Sequence, residues 1–128
     1  MTATEKRKSD RAEMRARWKA VKDSATAGEI AAAEAAIATH GLNVSSTGFI
    51  LALRLMQEKG LDGIPYLDAK TFKGWQNSGF MVRKGEKSIG KGVTWIRCGK
   101  NNDEGEDSES FVIPRSYSLF HRSQVEAV

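Results

Sequence analysis

Apolar residues in the first part of the chain recur at helical spacing. Within residues 9–22, Met14, Trp18 and Val21 follow one another at intervals of four and three, so that one face of a helix would carry all of them. We therefore predict a helix over 9–22 and expect residues 1–8 to be frayed. Its other faces are basic and could either lie along a phosphate backbone or form the solvated side of a helix that packs on the core; they carry Arg11, Arg15, Arg17, Lys19 and Lys22.

Two further helices are predicted in the first half of the chain. The capping box Thr26-Ala-Gly-Glu29 begins one of them, because the threonine hydroxyl and the glutamate can each bond the other residue's backbone N–H. This helix is expected to end at His40, where Gly41 suits a left-handed C-terminal position. The second, Phe49–Lys59, is apolar nearly all round, which is typical of a helix at the centre of a core.

A fourth helix is predicted over Ala69–Ser78, with Asp68 as its N-cap and Gly79 after its end. Phe72 and Trp75 lie three residues apart and share one face of this helix. An aromatic pair at this spacing is typical of a core. The alternative is that Trp75 stacks on a nucleic-acid base.

The strand-like segments lie in the second half of the chain. Pro114 is expected to interrupt their pairing, and a polar tail is expected after the last of them. The segments are residues 80–82, 91–98, 111–113 and 117–120. Helices followed by strands are the order of an α+β fold. We predict N-terminal helices packed on a small C-terminal antiparallel β-sheet, with residues 1–24 as a basic N-terminal helix or arm and 25–128 as a single domain.

The strand predicted over 91–98 alternates between two faces. One face would carry Val93, Trp95 and Arg97, and the other Thr94, Ile96 and Cys98. If Ile96 and Cys98 face the core, Trp95 lies outside between cations, as in surfaces that bind single-stranded nucleic acid. If Trp95 is buried instead, Thr94 lies outside. The alternation alone leaves both arrangements open.

Charge is unevenly distributed along the chain, whose formal net charge is +4. Residues 61–100 carry eight cations and three anions, whereas residues 101–128 carry two cations and six anions. A localised basic patch favours an acidic partner, with nucleic acid first among candidates; the alternative is a solvated surface. The polar, acidic segment 99–110 is predicted to be a hairpin tip that points away from such a partner.

Residue types that build common catalytic and metal sites are sparse. The chain has one cysteine, Cys98, and its two histidines, His40 and His121, lack the spacing of zinc ligands. Gly85–Gly92 approaches a phosphate-binding P-loop, but Gly92 stands where that motif has a hydroxyl, and a strand is predicted to follow. No apolar run is long enough to span a membrane, and the N-terminus lacks the apolar segment of a signal peptide. We therefore expect a protein of the reducing cytoplasm that is not an enzyme and uses no metal or cofactor.

The stretch TFKGWQNSGFMVRKGEKSIG, residues 71–90, joins a helix containing Trp75 to a basic, glycine-punctuated loop. It resembles the N-terminal single-stranded-DNA-binding domain of ArdC-type anti-restriction proteins, where such a helix leads into a Val-(Arg/Lys)-Lys-Gly-Glu-Lys-Gly loop. The C-terminal LFHRSQVE, residues 119–126, is similar to that domain's closing strand, with Val125 where the family has threonine. The resemblance covers residues 45–126.

The resemblance implies sequence-independent binding of single-stranded DNA, in agreement with the central positive charge. Arg83, Lys84 and Lys87 would neutralise phosphates, while Lys73, Lys91 and Arg97 would extend the phosphate track. Base stacking would fall to Trp95, Tyr117 or Phe120. These nine residues and Arg122 together form a candidate nucleic-acid-binding set of ten.

These expectations lead to two hypotheses about function. The first is a phage- or plasmid-encoded anti-restriction or DNA-processing accessory protein whose partner is single-stranded DNA. The second is an inhibitor that binds a protein of a host defence complex, which the acidic segment and the small size of the chain would suit.

Overall fold

A computed structural model describes residues 2–98 and 111–128. The described part contains four α-helices, mostly N-terminal, and an antiparallel sheet toward the C-terminus, which confirms the predicted α+β class. The helices are α1 (Ala3–Ser24), α2 (Ala27–His40), α3 (Ser46–Glu58) and α4 (Phe72–Asn77). The strands are β1 (Ala69–Lys70), β2 (Phe80–Val82), β3 (Gly90–Cys98), β4 (Phe111–His121) and β5 (Val125–Ala127), with a 3₁₀ turn, Arg122–Gln124, before β5.

Local hydrogen bonds at the helix starts account for most of the helix boundaries. Thr26 and Glu29 form the predicted capping box, and Gly41 ends α2 in the left-handed conformation. Helix α1 starts earlier than predicted, because Thr2 and Glu5 form a second capping box that holds the first turn. The expectation that residues 1–8 are frayed is therefore wrong for residues 3–8.

Helix α3 is the central element of the core, as its apolar sequence predicts. Five of its apolar side chains are buried, namely Phe49, Ile50, Leu51, Ala52 and Met56. Val21 of α1, Ala33 of α2 and Val93 of β3 pack with the first three of these in one apolar cluster, whereas Ala52 and Met56 belong to a second cluster with Leu119 of β4. Helix α1 thus contributes to the core through one stripe, while its basic faces remain at the surface.

The predicted start of the fourth helix at Ala69 is wrong. Ala69 and Lys70 form strand β1, which pairs with the end of β4, and Thr71 caps the helix by accepting a hydrogen bond from the Gly74 N–H. Asp68 accepts a hydrogen bond from the Ile64 N–H at 2.7 Å instead of capping a helix. Pairing with a distant strand overrides the local preference for helix here.

The main sheet has the order β1-β4-β3, with antiparallel pairs throughout. Strand β4 runs without interruption through Pro114, which lies opposite Trp95. The expected break at Pro114 is therefore wrong, and 111–113 and 117–120 belong to one strand. A proline can occupy a strand at positions whose N–H would not be needed for the ladder. The predicted acidic hairpin tip, 99–110, lies outside the described residues.

Strand β5 replaces the polar tail that the sequence suggested. It pairs antiparallel with β2, and Val125, opposite Val82, is buried. Residues 119–126, for which the sequence predicts a closing strand, are thus divided into the end of β4, the 3₁₀ turn and β5.

Strand β3 adopts the second of its two possible orientations. Val93 is buried, Trp95 packs against the same cluster, and Thr94 is exposed. Trp95 therefore faces the core side of the sheet and does not stand in open solvent between cations. The aromatic pair of α4 is also divided, because Trp75 is buried whereas Phe72 is 47 % exposed.

Candidate nucleic-acid interface

The basic loop between β2 and β3 is held by its own backbone. Gly85 takes a positive φ of 87°, which a residue with a Cβ rarely adopts, and the Glu86 N–H closes the turn onto the Arg83 carbonyl at 3.2 Å. The predicted phosphate-binding side chains of Lys84 and Lys87 project from this turn and are exposed.

The 3₁₀ turn after β4 fixes the loop from the other side. The side-chain amide of Gln124 donates to the Lys87 carbonyl at 2.5 Å and to the Glu86 carboxylate at 3.1 Å. Arg83 donates its backbone N–H to the Gln124 carbonyl at 2.9 Å and its guanidinium to the Ser123 carbonyl. Arg83 therefore holds the loop against the 3₁₀ turn, and the carboxylate of Glu86 beside it accepts a hydrogen bond from Gln124.

His121 in turn holds the 3₁₀ turn. Its Nδ1 accepts a hydrogen bond from the Ser123 N–H at 3.1 Å, so Nε2 carries the proton that is donated to the Asp62 carbonyl at 2.7 Å. The ring is buried, and both of its nitrogens are satisfied by these contacts. His121 therefore positions the turn on which the basic loop rests.

Six of the seven predicted cations fall into two groups in the structure, and the seventh is on α4. Arg83, Lys84 and Lys87 form the loop group, and Arg122 lies next to it in the 3₁₀ turn, where its guanidinium contacts the Asp68 carboxylate. The second group lies on β3. Lys91 and Arg97 are exposed near opposite ends of that strand, about 20 Å apart at the usual rise per residue. Lys73 is exposed on α4.

Helix α1 and strand β4 add cations that extend the second group. The Arg17 guanidinium donates to the Lys91 carbonyl at 2.9 Å, which fixes α1 against β3. Two shallow depressions between α1 and the β3–β4 hairpin are lined by both signs of charge; their cations are Lys6, Arg7, Arg11, Arg17, Lys91 and Arg115. The prediction that α1 could lie along a phosphate backbone already included Arg11 and Arg17 of this group. Arg115 has no sequence signal, because only the strand register brings it near α1.

The three predicted stacking aromatics are half-buried, and each packs against a second ring. Their partners are Trp18 for Trp95, at 5.7 Å between centroids, Tyr66 for Tyr117, at 6.4 Å, and Phe72 for Phe120, also at 6.4 Å. Phe72, which the helical pattern assigned to the core beside Trp75, is the most exposed of these rings. Lys73, the next residue of α4, is also exposed.

The Tyr66 and Tyr117 hydroxyls are hydrogen-bonded to each other. Burial raises the pKa of Tyr66 well above its ordinary value, with a further contribution from Tyr117 beside it. Burial also raises the pKa of Tyr117, although the hydrogen bond from Tyr66 opposes this shift. Both phenols are therefore neutral at physiological pH.

Two classes of feature are absent from the part of the chain that the structure describes. It contains no cluster of three or more histidine, cysteine, aspartate or glutamate side chains that could hold a metal ion. None of the helices in residues 2–98 and 111–128 has the length and apolar character needed to cross a bilayer.

Comparison with known proteins identifies no relative of this chain. No protein-family model, curated protein or solved structure matches this chain. The resemblance to the ArdC-type domain therefore stays a prediction based on residues 71–90 and 119–126.

Proposed function

We propose that this chain binds single-stranded DNA without reading its sequence. The observation that carries the proposal is the basic loop. Its backbone is fixed by Gln124 and by its own turn, while Lys84 and Lys87 are exposed. Neither lysine forms an ion pair with any residue that the structure describes. Cations held on a rigid frame and free of acidic partners are suited to neutralising phosphates.

Two further features support a single strand as the partner. The ring of Phe72 is exposed at the start of α4, one residue before Lys73, and exposed aromatic rings stack on bases whose faces are open, as they are in single strands. The second cation group on α1, β3 and β4 would lengthen the phosphate track. The cellular role implied by the resemblance, anti-restriction or accessory DNA processing for a phage or plasmid, is part of this proposal.

The second hypothesis, an inhibitor that binds a protein of a host defence complex, rests on the acidic segment, which lies outside the described residues, and on the small size of the chain. No described surface favours it.

The proposal is tested with the double variant Lys84→Ala/Lys87→Ala and a fluorescent single strand of about 20 nucleotides. Each phosphate contact to a single strand contributes a salt slope of about 0.7, so the double variant should lower the slope by about 1.4. At about 0.1 M salt this corresponds to an affinity about 25-fold weaker. The measurement is fluorescence anisotropy over a range of salt concentrations.

The matched control is Arg15→Ala/Lys22→Ala, which removes the same charge from exposed positions of α1 that form no ion pair with a described residue. We expect it to change affinity and slope far less than the loop variant does. If the loop variant binds as tightly as the unchanged protein, or if both variants weaken binding equally, the loop is not the phosphate-binding element.

A further inference from the structure

A cleft of about 630 Å³ opens beside β3, between this strand and the connection from α2 to α3. Strand β3 is at the edge of its sheet, and its second edge is paired with no described strand. Four aromatic side chains line the cleft, together with uncharged polar side chains of the connection and of the strand. They include Trp18, Tyr66, Trp95, Tyr117, Asn43 and Thr94. The volume lies within the range of small-molecule sites.

The chemistry of the lining selects a neutral, flat ligand. No lysine, arginine, histidine, aspartate or glutamate lines the cleft, and the raised pKa values of Tyr66 and Tyr117 keep both phenols protonated. A charged group would find no counter-charge among these side chains. A planar heteroaromatic ring would find aromatic surfaces to stack against, and hydroxyl, amide and strand-edge groups for the polar atoms on its rim.

Two local features distinguish this cleft from an ordinary surface depression. Tyr66 has a positive φ of 69°, a conformation that residues with a Cβ seldom adopt and that concentrates at functional sites. The indole N–H of Trp95 is buried and has no hydrogen-bond partner among the described residues. Because buried donors are nearly always satisfied in proteins, this wall of the cleft carries an unfulfilled donor.

Cations stand next to the cleft along β3. Trp18 follows Arg17, whose guanidinium is bonded to the Lys91 carbonyl, and Lys91 precedes Trp95 by four residues, about 13 Å along a strand. A base that lies against the aromatic lining of the cleft would therefore have a phosphate-binding surface close to its own backbone. A stretched peptide added to the β3 edge would make no use of the aromatic walls as stacking surfaces.

We propose that this cleft binds one unstacked nucleobase of the bound strand. The inference rests on the proposed function and goes beyond it, because it assigns base contact to a defined site walled by Trp18 and Trp95. It also implies that the four bases differ in affinity, because the polar atoms on their edges match the polar groups of the cleft to different degrees. A strand that is bound without strict sequence recognition therefore has preferred positions on the protein.

The first test uses the three tryptophans of the chain, whose indole N–H groups give separate signals in a ¹⁵N–¹H correlation spectrum. Trp18 and Trp95 line the cleft, whereas Trp75 is buried and donates its indole N–H to the Phe120 carbonyl at 2.8 Å. Titration with adenosine or thymidine, which carry no phosphate, should shift the Trp18 and Trp95 signals in a saturable way and leave that of Trp75 in place. Single Trp→Phe variants assign the signals.

The second test compares a single strand of about 20 nucleotides with an abasic strand that has the same number of phosphates. Stacking of one base, worth about 1–3 kcal/mol, corresponds to a difference of about fivefold to about 140-fold in affinity. The variant Asn43→Leu, at an exposed position of the α2–α3 connection that lines the cleft, should reduce this difference. The control is Ser118→Leu, at an exposed position of β4 that does not line the cleft, and it should preserve the difference.

The outcomes separate this inference from the proposed function. If both strands bind equally well and nucleosides shift none of the indole signals, the cleft is not a base site, although the phosphate-binding proposal survives. If no strand binds but nucleosides shift Trp18 and Trp95 selectively, the proposed function fails and the inference fails with it, because the cleft then takes a free nucleoside and no base of a bound strand. Shifts of Trp18 and Trp95 with an extended peptide, and none with nucleosides, would replace the base with a peptide and overturn the inference.

Discussion

The substitution Gly92→Ala tests whether β3 and β4 are packed as tightly around the tyrosine pair as the structure shows. Gly92 lies opposite Tyr117 in the strand register. A Cβ added to Gly92 would lie 2.6 Å from two carbon atoms of the Tyr117 ring and 2.7 Å from its hydroxyl oxygen. Carbon atoms pack at about 3.5–4.0 Å, so the ring must move by about 1 Å. That movement displaces the hydroxyl that is bonded to Tyr66.

The magnitude follows from three contributions of different sign. Overpacking a filled site costs about 1–3 kcal/mol, and a lost hydrogen bond costs about 0.5–1.5 kcal/mol. Replacing a strand glycine by alanine returns about 0.5–1 kcal/mol through the unfolded chain, since the φ of Gly92 is not in the left-handed region. The net expectation is a loss of about 2 kcal/mol in the free energy of unfolding.

The assay is urea denaturation followed by tryptophan fluorescence and circular dichroism, in which such a loss lowers the midpoint by about 1 M. Gly28→Ala provides the matched control, because a Cβ there meets nothing closer than 3.9 Å and alanine favours the helix. We also expect Tyr117→Leu to relieve the crowding, so that the double variant costs less than the sum of the single ones. A Gly92→Ala protein as stable as the unchanged one would refute the packing described for this pair.

Three further predictions concern the stability of the fold. The pKa values of Tyr66 and Tyr117 are raised on folding. Their contribution to the free energy of unfolding is therefore complete below about pH 10 and is lost as the pH rises further, by up to about 1.4 kcal/mol per pH unit for each tyrosine. Phenolate absorbance against pH, compared with the Tyr66→Phe variant, checks this. Asp68→Ala should lower the free energy of unfolding by about 1–3 kcal/mol because the Ile64 N–H loses its acceptor, whereas Asp68→Asn, which keeps an acceptor, should lower it less in the same urea assay. Ser45→Ala should cost about 1 kcal/mol in thermal or urea unfolding because the N-cap of α3 is lost, and an unchanged midpoint would contradict the capping role.

Features that depend on neighbours in sequence were predictable. The capping box at Thr26, the end of α2 at Gly41 and the burial of α3 follow from residues within one or two turns of each other. The α+β order could be predicted because helical and alternating patterns occupy different halves of the chain.

Features that depend on distant pairing were missed. Strand β1 forms because Lys70 pairs with Phe120, fifty residues later, and strand β5 forms because Val125 pairs with Val82. The local sequence of these short segments does not favour a strand over a helix or an irregular tail. Their strand structure therefore depends on pairing in the assembled sheet.

The candidate site shows the same division. The basic loop could be predicted from its lysines and glycines, but its support by Gln124 and His121 depends on contacts across the sheet. The exposure of Phe72 and the approach of Arg115 to α1 likewise follow from how the elements pack. Sequence patterns predicted which cations are candidates for phosphate binding, whereas the packing of α1 against β3 and β4 determines which cations share a surface.

The central claim is most directly tested by measuring the affinity of the unchanged protein for a single strand of about 20 nucleotides and for a duplex of the same length. The titration is made by fluorescence anisotropy at low and at moderate salt. We predict tighter binding to the single strand and a steep loss of affinity as salt increases, because phosphate contacts release counterions. No binding of the single strand at low salt, or equal binding of strand and duplex with no dependence on salt, would contradict the claim.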